Sequence, residues 1–221
     1  MSRKSTSGRR TSLSRDRVLD AALLLADAHG VEALTMRRLA AELGVEAMTI
    51  YYHVPNKEAI LDALAERVMA EIEMPEPGTE WSAALRSIAL SAYDVLDRHR
   101  WAPRVMLARR APGPMRLRYM DTILAILADA AFPPTVADHA YHALEGHIMG
   151  FTLWELGMNL GTREDLQALG RAFLAELPTE TYPSVAAHIE HHLAPPRSDD
   201  QHSFAFALDL LLDGLARLRP A

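Results

Sequence analysis

The segment from Leu34 to Lys57 constrains the fold of this chain more than any other. Thr35 is a suitable N-cap, because its hydroxyl can accept a hydrogen bond from the free amides at a helix start. The apolar residues that follow recur at helical spacing, which indicates a helix with one buried face. They are Met36, Leu39, Ala40 and Leu43. Gly44 is expected to end this helix, since glycine adopts positive φ angles without a Cβ clash.

A second short helix is predicted from about Glu46 to His53. Pro55 stops it, and Asn56 can cap the helix that follows. Two short helices joined by a tight turn are typical of a helix-turn-helix, whose second helix lies in the major groove of DNA.

The outer face of this second helix carries side chains suited to DNA. Ile50 and Val54 form a narrow inward side, so the other residues are predicted to face outward. Tyr, Thr and His can bond phosphates or base edges, and Ala, Met and the Thr methyl can meet a thymine methyl. The predicted outer residues are Ala47, Met48, Thr49, Tyr51, Tyr52 and His53. The alternative is an ordinary corner between two helices with exposed aromatic residues.

The whole segment strongly resembles the DNA-binding domain of the tetracycline-repressor (TetR) family. The resemblance rests on Thr35, Arg37, Leu39, Ala40, Leu43, Gly44, Val45, Thr49, Tyr51, His53, Val54, Asn56 and Lys57. It implies that Arg37 reaches a base edge from the first helix of the motif. The other contacts that it implies, to phosphates or bases, come from Thr49, Tyr52, His53 and Lys57. The tetracycline repressors have Gln at Ala47 and Pro at Met48, so a different operator is expected.

Charge is distributed unevenly along the chain. The net charge is −6, but residues 1–57 hold nine basic and six acidic side chains, which gives +3 there and −9 in the remainder. Binding to nucleic acid needs a local basic surface rather than a basic whole protein. The basic, Ser-rich stretch 1–12 is either a disordered tail or an arm that lies along phosphates or in the minor groove.

Length and composition exclude several classes of protein. The 221 residues suffice for one or two compact domains. The chain has no cysteine, so it has neither a disulfide framework nor thiolate chemistry. It has no apolar run long enough for a membrane helix, and its N-terminus lacks the apolar core of a signal peptide. We predict a cytoplasmic protein that does not associate with membranes.

The rest of the chain is helical in pattern. We predict an all-α protein of nine to eleven helices, with a helix-turn-helix DNA-binding domain at residues 1–60. Residues 61–221 are predicted to form a helical ligand-binding and dimerisation domain. After residue 80 the resemblance to the tetracycline repressors is weaker, and it rests on Trp81, on the motifs at 99–100, 146–147 and 178–183, and on the last helix.

The last helix, predicted from about Ser203 to Leu218, is apolar on more than one side. One predicted face carries Phe204, Leu208, Leu211, Leu215 and Leu218, and off that face lie Phe206, Leu210 and Leu212. Such a helix must bury two sides. In the TetR family the long helix, here about 135–160, and the last helix pair with their copies in a second subunit. The resemblance therefore implies a homodimer through these two helices.

The resemblance also implies an effector pocket in the C-terminal domain. The tetracycline repressors hold a magnesium–drug chelate with a His and a Thr that are matched here by Met106 and Arg109, while Glu155 matches a carboxylate of that site. Loss of the metal-binding His argues against a metal-chelated effector, and neither a metal nor a cofactor is expected. Met106, Trp101, Phe151 and Trp154 indicate an apolar or aromatic effector instead. Arg109 or His147 is available for its polar end. The candidate effector-binding residues are His99, Trp101, Met106, Arg109, His147, Phe151, Trp154 and Glu155.

The sequence leaves alternatives open for the ten histidines, and it allows an enzyme to be weighed against a regulator. His99, His142 and His147 are either satisfied core histidines or pocket residues, and the pair at 188 and 192 shares a helical face that lacks further zinc ligands. A metal-dependent enzyme on a helical bundle would need Glu-x-x-His spacings, which the chain lacks. It also lacks G-x-S-x-G and a Gly-rich phosphate loop. We therefore predict a ligand-responsive regulator, a repressor that binds a palindromic operator as a homodimer, rather than an enzyme.

Overall fold

The computed structural model describes residues 13–109, 111–158, 163–194 and 203–219. Within these ranges the regular structure consists of eleven helices and no strand, which confirms the predicted all-α class. The basic stretch 1–12, predicted as a tail or an arm, lies outside the described residues. In the described part of the chain, no helix is both long enough and apolar enough to cross a bilayer.

The helices follow one another with short connections. In chain order they are α1 (Arg15–His29), α2 (Met36–Leu43), α3 (Ala47–Tyr51), α4 (Lys57–Ala70), α5 (Trp81–Arg98), α6 (Ala102–Ala108), α7 (Pro114–Asp129), α8 (Pro134–Met158), α9 (Arg163–Glu176), α10 (Pro183–Leu193) and α11 (Ser203–Ala216).

The chain divides into two compact units. The first unit comprises Met1–Glu73 and Asp94–Met120, and the second comprises Met74–Tyr93 and Asp121–Ala221. The chain passes between them at three points, of which two fall inside the continuous helices α5 and α7 and one falls between α4 and α5. The boundary predicted at residue 60 separates a DNA-binding domain from a ligand-binding and dimerisation domain, not two compact units. It stays a prediction.

Three predicted helix starts are confirmed by side-chain caps in the first unit. The oxygens of Ser14, Thr35 and Asn56 accept hydrogen bonds from backbone N–H groups at distances of 3.2, 3.1 and 2.8 Å. Each donor lies three residues after its cap, as the N-cap geometry requires. Local sequence therefore sets where α1, α2 and α4 begin.

The core of the first unit is formed by the inward stripes of its helices. α1 packs against α2 and α4, and α4 packs against α6. The side chains with essentially no exposure include Val18, Leu19, Leu39, Ile50, Ile60, Leu64 and Val68. The shortest helix, α3, packs against α2 and contributes Ile50 to this core.

In the second unit, α11 packs against α8 with a stripe that differs from the predicted one. The buried residues are Phe204, Leu208, Leu212 and Leu215. Leu211 is only half-buried, and Leu218 is 59% exposed because it lies beyond the end of the helix at Ala216. The assignment of Leu212 outside the main face was therefore wrong. Phe206 and Leu210 remain 55% and 59% exposed.

Replacing Gly44 with alanine is expected to destabilise the protein by about 1–2 kcal/mol, the cost of a left-handed conformation for a residue with a Cβ. Gly44 has φ 65° and ψ 35°, and no atom within 4 Å would meet an added Cβ, so the effect is confined to the backbone. Asparagine tolerates this conformation, so Gly44→Asn should lose less. Urea unfolding measures both variants, and equal stability of Gly44→Ala and wild type would contradict the argument.

Candidate functional site

The turn between α2 and α3 is closed by backbone hydrogen bonds. The Gly44 N–H donates to the carbonyls of Ala40 and Ala41, and the Val45 N–H reaches Ala40 at 3.0 Å. Ile50 of α3 is completely buried, and Val54 is 1% exposed. These anchors hold α3 with its opposite side outward, as a helix-turn-helix requires.

The helix α3 is shorter than the predicted span of Glu46 to His53. Glu46 is the N-cap with extended backbone, φ −74° and ψ 147°. At the other end, the His53 N–H donates to the carbonyl of Ile50 at 2.9 Å in a tight turn. The cause is Pro55, which disfavours helical geometry in the residue before it and so ends the helix early.

The outward side of α3 exposes unusually large side chains. Met48 is 67% exposed, Tyr51 45% and Tyr52 86%. The other predicted contact residues beside them, Ala47, Thr49 and His53, are half-buried, and Arg37 of α2 is exposed. A cluster of exposed apolar and aromatic groups marks an interaction surface. The direct contacts of these residues with DNA stay a prediction.

Lys57 has a partner within the protein. Its Nζ donates to the carbonyl of Val31 at 2.6 Å, and the side chain is half-buried. This bond ties the start of α4 to the segment between α1 and α2. An ammonium has three donors, so two remain for the predicted phosphate contact.

Two candidate effector residues of the first unit lie in a polar cluster. His99 is 6% exposed, and its Nδ1 lies 2.8 Å from Asp27 Oδ1, while its Nε2 lies 3.2 Å from Glu71 Oε1. The Trp101 indole donates to the same Asp27 oxygen at 2.7 Å. Both side chains are thus satisfied inside the unit, which favours the core interpretation of His99 over the pocket interpretation.

The other two candidates of the first unit border a cavity. Arg109 forms ion pairs with Glu58 at 3.2 Å and Asp62 at 2.8 Å. Met106 is buried, and both Met106 and Arg109 line a cavity of about 340 Å³ between α4 and the segment that joins α6 to α7. Both carboxylates contact the same nitrogen, Nη1, and compensate the charge of Arg109, so this residue has less capacity to attract an anionic effector group than the sequence implied.

The remaining candidates belong to the second unit, on α8. His147 stacks on Phe204 of α11 with ring centroids 4.5 Å apart, and its Nε2 lies 3.0 Å from the Phe204 carbonyl. Phe151 meets Phe204 edge-on at 5.5 Å. These rings form an aromatic cluster between α8 and α11.

The same cluster extends to the start of the second unit through Tyr93. The Tyr93 ring stacks on Phe204 at 4.3 Å, and its hydroxyl donates to Glu155 at 2.7 Å. Trp154 is 57% exposed, with its ring centroid 5.8 Å from that of Phe151. The eight candidates are therefore divided equally between the two units.

The described histidines do not form a metal-binding group. Among the residues that the structure describes, no group of three or more His, Asp or Glu side chains is arranged to hold a metal ion. His188 and His192 of α10 do lie side by side, with ring centroids 4.6 Å apart. Both are exposed, as expected for a solvated helix face.

Comparison with known proteins covers most of the chain. The model of the tetracyclin repressor-like C-terminal domain matches residues 74–219, and that of bacterial regulatory proteins of the tetR family matches residues 18–64. The chain belongs to the TetR family. One similar TetR-family protein is the HTH-type transcriptional repressor DrrR1 of Streptomyces coeruleorubidus, 30% identical over 222 residues, which are 96% of this chain and 81% of that protein.

Two further TetR-family proteins support this assignment. The class D tetracycline repressor of Escherichia coli is 35% identical over 144 residues, 64% of this chain and 66% of that protein. Streptomyces coelicolor ActR in complex with actinorhodin has a TM-score of 0.74 and 27% identity, covering 96% of this chain and all of that one. This TetR-family protein is accordingly a ligand-responsive transcriptional repressor, and the enzymatic alternative is not favoured.

The partners of the candidate residues in this TetR-family member could not be found from the sequence. Asp27, Glu71 and Tyr93 each bond a predicted site residue from a distant part of the chain. Asp27 precedes His99 by 72 residues, and Tyr93 precedes Glu155 by 62. Carboxylates at such positions look like a solvated helix face, so the sequence offers no local signal for them. Arg116, which lines the cavity beside Met106, was also missed.

Proposed function

We propose that this repressor binds a palindromic operator as a homodimer and leaves it when a small, apolar or aromatic effector binds. The observation that carries the DNA-binding part is the exposed face of α3. Its residues Met48, Tyr51 and Tyr52 are held outward by the buried Ile50 in a closed helix-turn-helix. Side chains that are large, exposed and unpacked are available for base edges and phosphates.

The residues proposed to touch DNA are those of the motif. They are Arg37, Ala47, Met48, Thr49, Tyr51, Tyr52, His53 and Lys57. Arg37 is proposed to read a base edge, because arginine pairs with two acceptors of guanine. Lys57 is proposed to contact a phosphate while it stays bonded to Val31, which would place the ammonium firmly at the start of α4.

The homodimer is proposed to form through α8 and α11. α11 buries one stripe against α8 and leaves Phe206 and Leu210 exposed on its other side. Trp154 of α8 is exposed as well. A second copy related by a two-fold axis would cover the same apolar surface on both chains. Obligate interfaces of this kind are large and apolar.

The proposed effector chemistry follows from the side chains near the candidate residues. In the first unit Met106 supplies apolar surface to a cavity, and in the second unit His147, Phe151 and Trp154 form an aromatic cluster. Known structures of the family include ActR with actinorhodin and an Acinetobacter baumannii TetR variant with minocycline. We propose that this protein takes a small apolar or aromatic molecule, needs no metal or cofactor, catalyses no reaction and acts in the cytoplasm.

Selection of bound DNA from a random pool tests the proposal directly. The full chain should select a palindromic or nearly palindromic site, because operator symmetry mirrors protein symmetry. The mass of the purified complex should then correspond to two chains for one site. A selected site without two-fold symmetry, bound by one chain, would exclude the homodimer mode.

A further inference from the structure

A cavity in the first unit has a lining in which charged groups stand beside apolar ones. Its volume is about 340 Å³, and Met69 and Met106 supply thioether surface. The charged lining residues are Asp62, Glu66, Arg109 and Arg116. The volume is close to the lower end of the range of about 300–1,000 Å³ for small-molecule sites, so it suits a compact ligand.

Three of the four charged groups already have strong partners. Arg109 is bound by Asp62 at 2.8 Å and also by Glu58. Glu66 accepts the backbone N–H of Met115 at 2.8 Å, and so lies at the positive end of the α7 dipole. The Glu66 carboxylate packs so closely against Gly113 that a Cβ at that position would collide with it. Asp62 is therefore paired with a cation, and Glu66 is held at the start of α7.

Arg116 differs from these three groups. Its Nη1 donates to the Met106 carbonyl at 3.3 Å. No carboxylate of the described residues lies within ion-pair distance of its guanidinium. A guanidinium has five donors in a planar fork that matches a carboxylate at two points. The remaining donors thus belong to a half-buried cation that lines a partly apolar cavity.

We propose that this cavity binds a small aromatic acid, with its carboxylate on Arg116 and its ring against Met69 and Met106. Charge-assisted hydrogen bonds, such as those of arginine to a carboxylate, are stronger than neutral ones. The thioether sulfur of methionine makes favourable contacts with aromatic rings. This proposal rests on the proposed function, because only an effector site gives the bound acid a regulatory role. It adds the chemical class of the effector. It also adds a residue, Arg116, that the sequence did not indicate.

The matched probes β-naphthoate and β-naphthamide test this assignment, since they share a ring and differ in charge. Titration calorimetry on the full chain should show naphthoate binding roughly tenfold more tightly than naphthamide, the size expected for a hydrogen bond to a charged group. Arg116→Gln should abolish this preference. The matched control is Arg118→Gln, an exposed arginine on the same helix, which should keep it.

Three results would overturn the proposal: equal binding of both probes, a preference that survives Arg116→Gln, or no binding of either probe. If Arg116→Gln does not fold by circular dichroism, Arg116→Lys replaces it, and should reduce the preference because a lysine cannot bond both carboxylate oxygens. Operator binding by the wild-type chain is measured separately and without probe. Its absence would contradict the proposed function, whereas the probe titrations report on the cavity alone.

Discussion

Replacing both Phe206 and Leu210 with glutamate is expected to make this repressor monomeric. Both side chains are more than half exposed in the single chain, so the fold should accept the charges. In the proposed dimer the same positions are covered, and an unpaired charge buried there costs about 3–5 kcal/mol. Light scattering on the purified variant should give the mass of one chain.

The loss of the dimer should also remove most operator binding. Two linked helix-turn-helix domains bind one operator with an avidity that exceeds the affinity of a single domain by about a hundredfold to ten-thousandfold. The variant should therefore lose affinity by a factor in this range, although α3 is untouched. Fluorescence anisotropy with the selected operator measures the loss.

The matched control is Leu117→Glu. Leu117 is 52% exposed on α7 and is not part of the proposed interface. This variant should stay dimeric and bind the operator normally. If the Phe206 and Leu210 double variant stayed dimeric while remaining folded by circular dichroism, the interface would lie on another surface.

The helix starts and the fold class were predictable because local residues determine them. Ser14, Thr35 and Asn56 each bond an amide three positions later, and Gly44 supplies the left-handed residue that closes α2. Such signals need no knowledge of tertiary contacts. They are read equally well from the sequence and from the structure.

The buried stripe of α11 was predicted only in part, for a reason that lies in its composition. The helix is apolar on most of its circumference, so a period of 3.6 residues fits more than one neighbouring stripe. Leu211 and Leu212 are adjacent, and only packing against α8 decides that Leu212 is the more buried one. The exposed side that remains, with Phe206 and Leu210, is better suited to a test of the dimer than Leu211 or Leu215.

The candidate effector residues were the least predictable part. They were chosen largely by resemblance, which aligns positions but does not reveal what each side chain bonds in this chain. His99 and Trp101 share Asp27, and Arg109 is held by two carboxylates of α4. These partners come from other helices, so only the tertiary structure identifies Arg116 as the cavity cation that has no carboxylate partner among the described residues.

Replacing Arg37 with alanine is expected to relax base preference at one position in each half-site. Arg37 is exposed on α2, so its loss should not change the stability of the protein. A lost contact to a base edge costs about 1–3 kcal/mol. The measurement compares the affinity of the variant and of wild type for the selected operator and for operators substituted at each position in turn.

Arg38→Ala is the matched control, because Arg38 is the next residue and is exposed on the same helix. It should leave the ranking of substituted operators unchanged.

The salt dependence of operator binding separates the two possible roles of Arg37. A residue that only neutralises a phosphate would weaken all operators alike and reduce the salt slope by about one when it is lost. If Arg37→Ala behaved in that way, the base-reading role would be excluded and specificity would have to come from α3 alone, through Met48 and its neighbours.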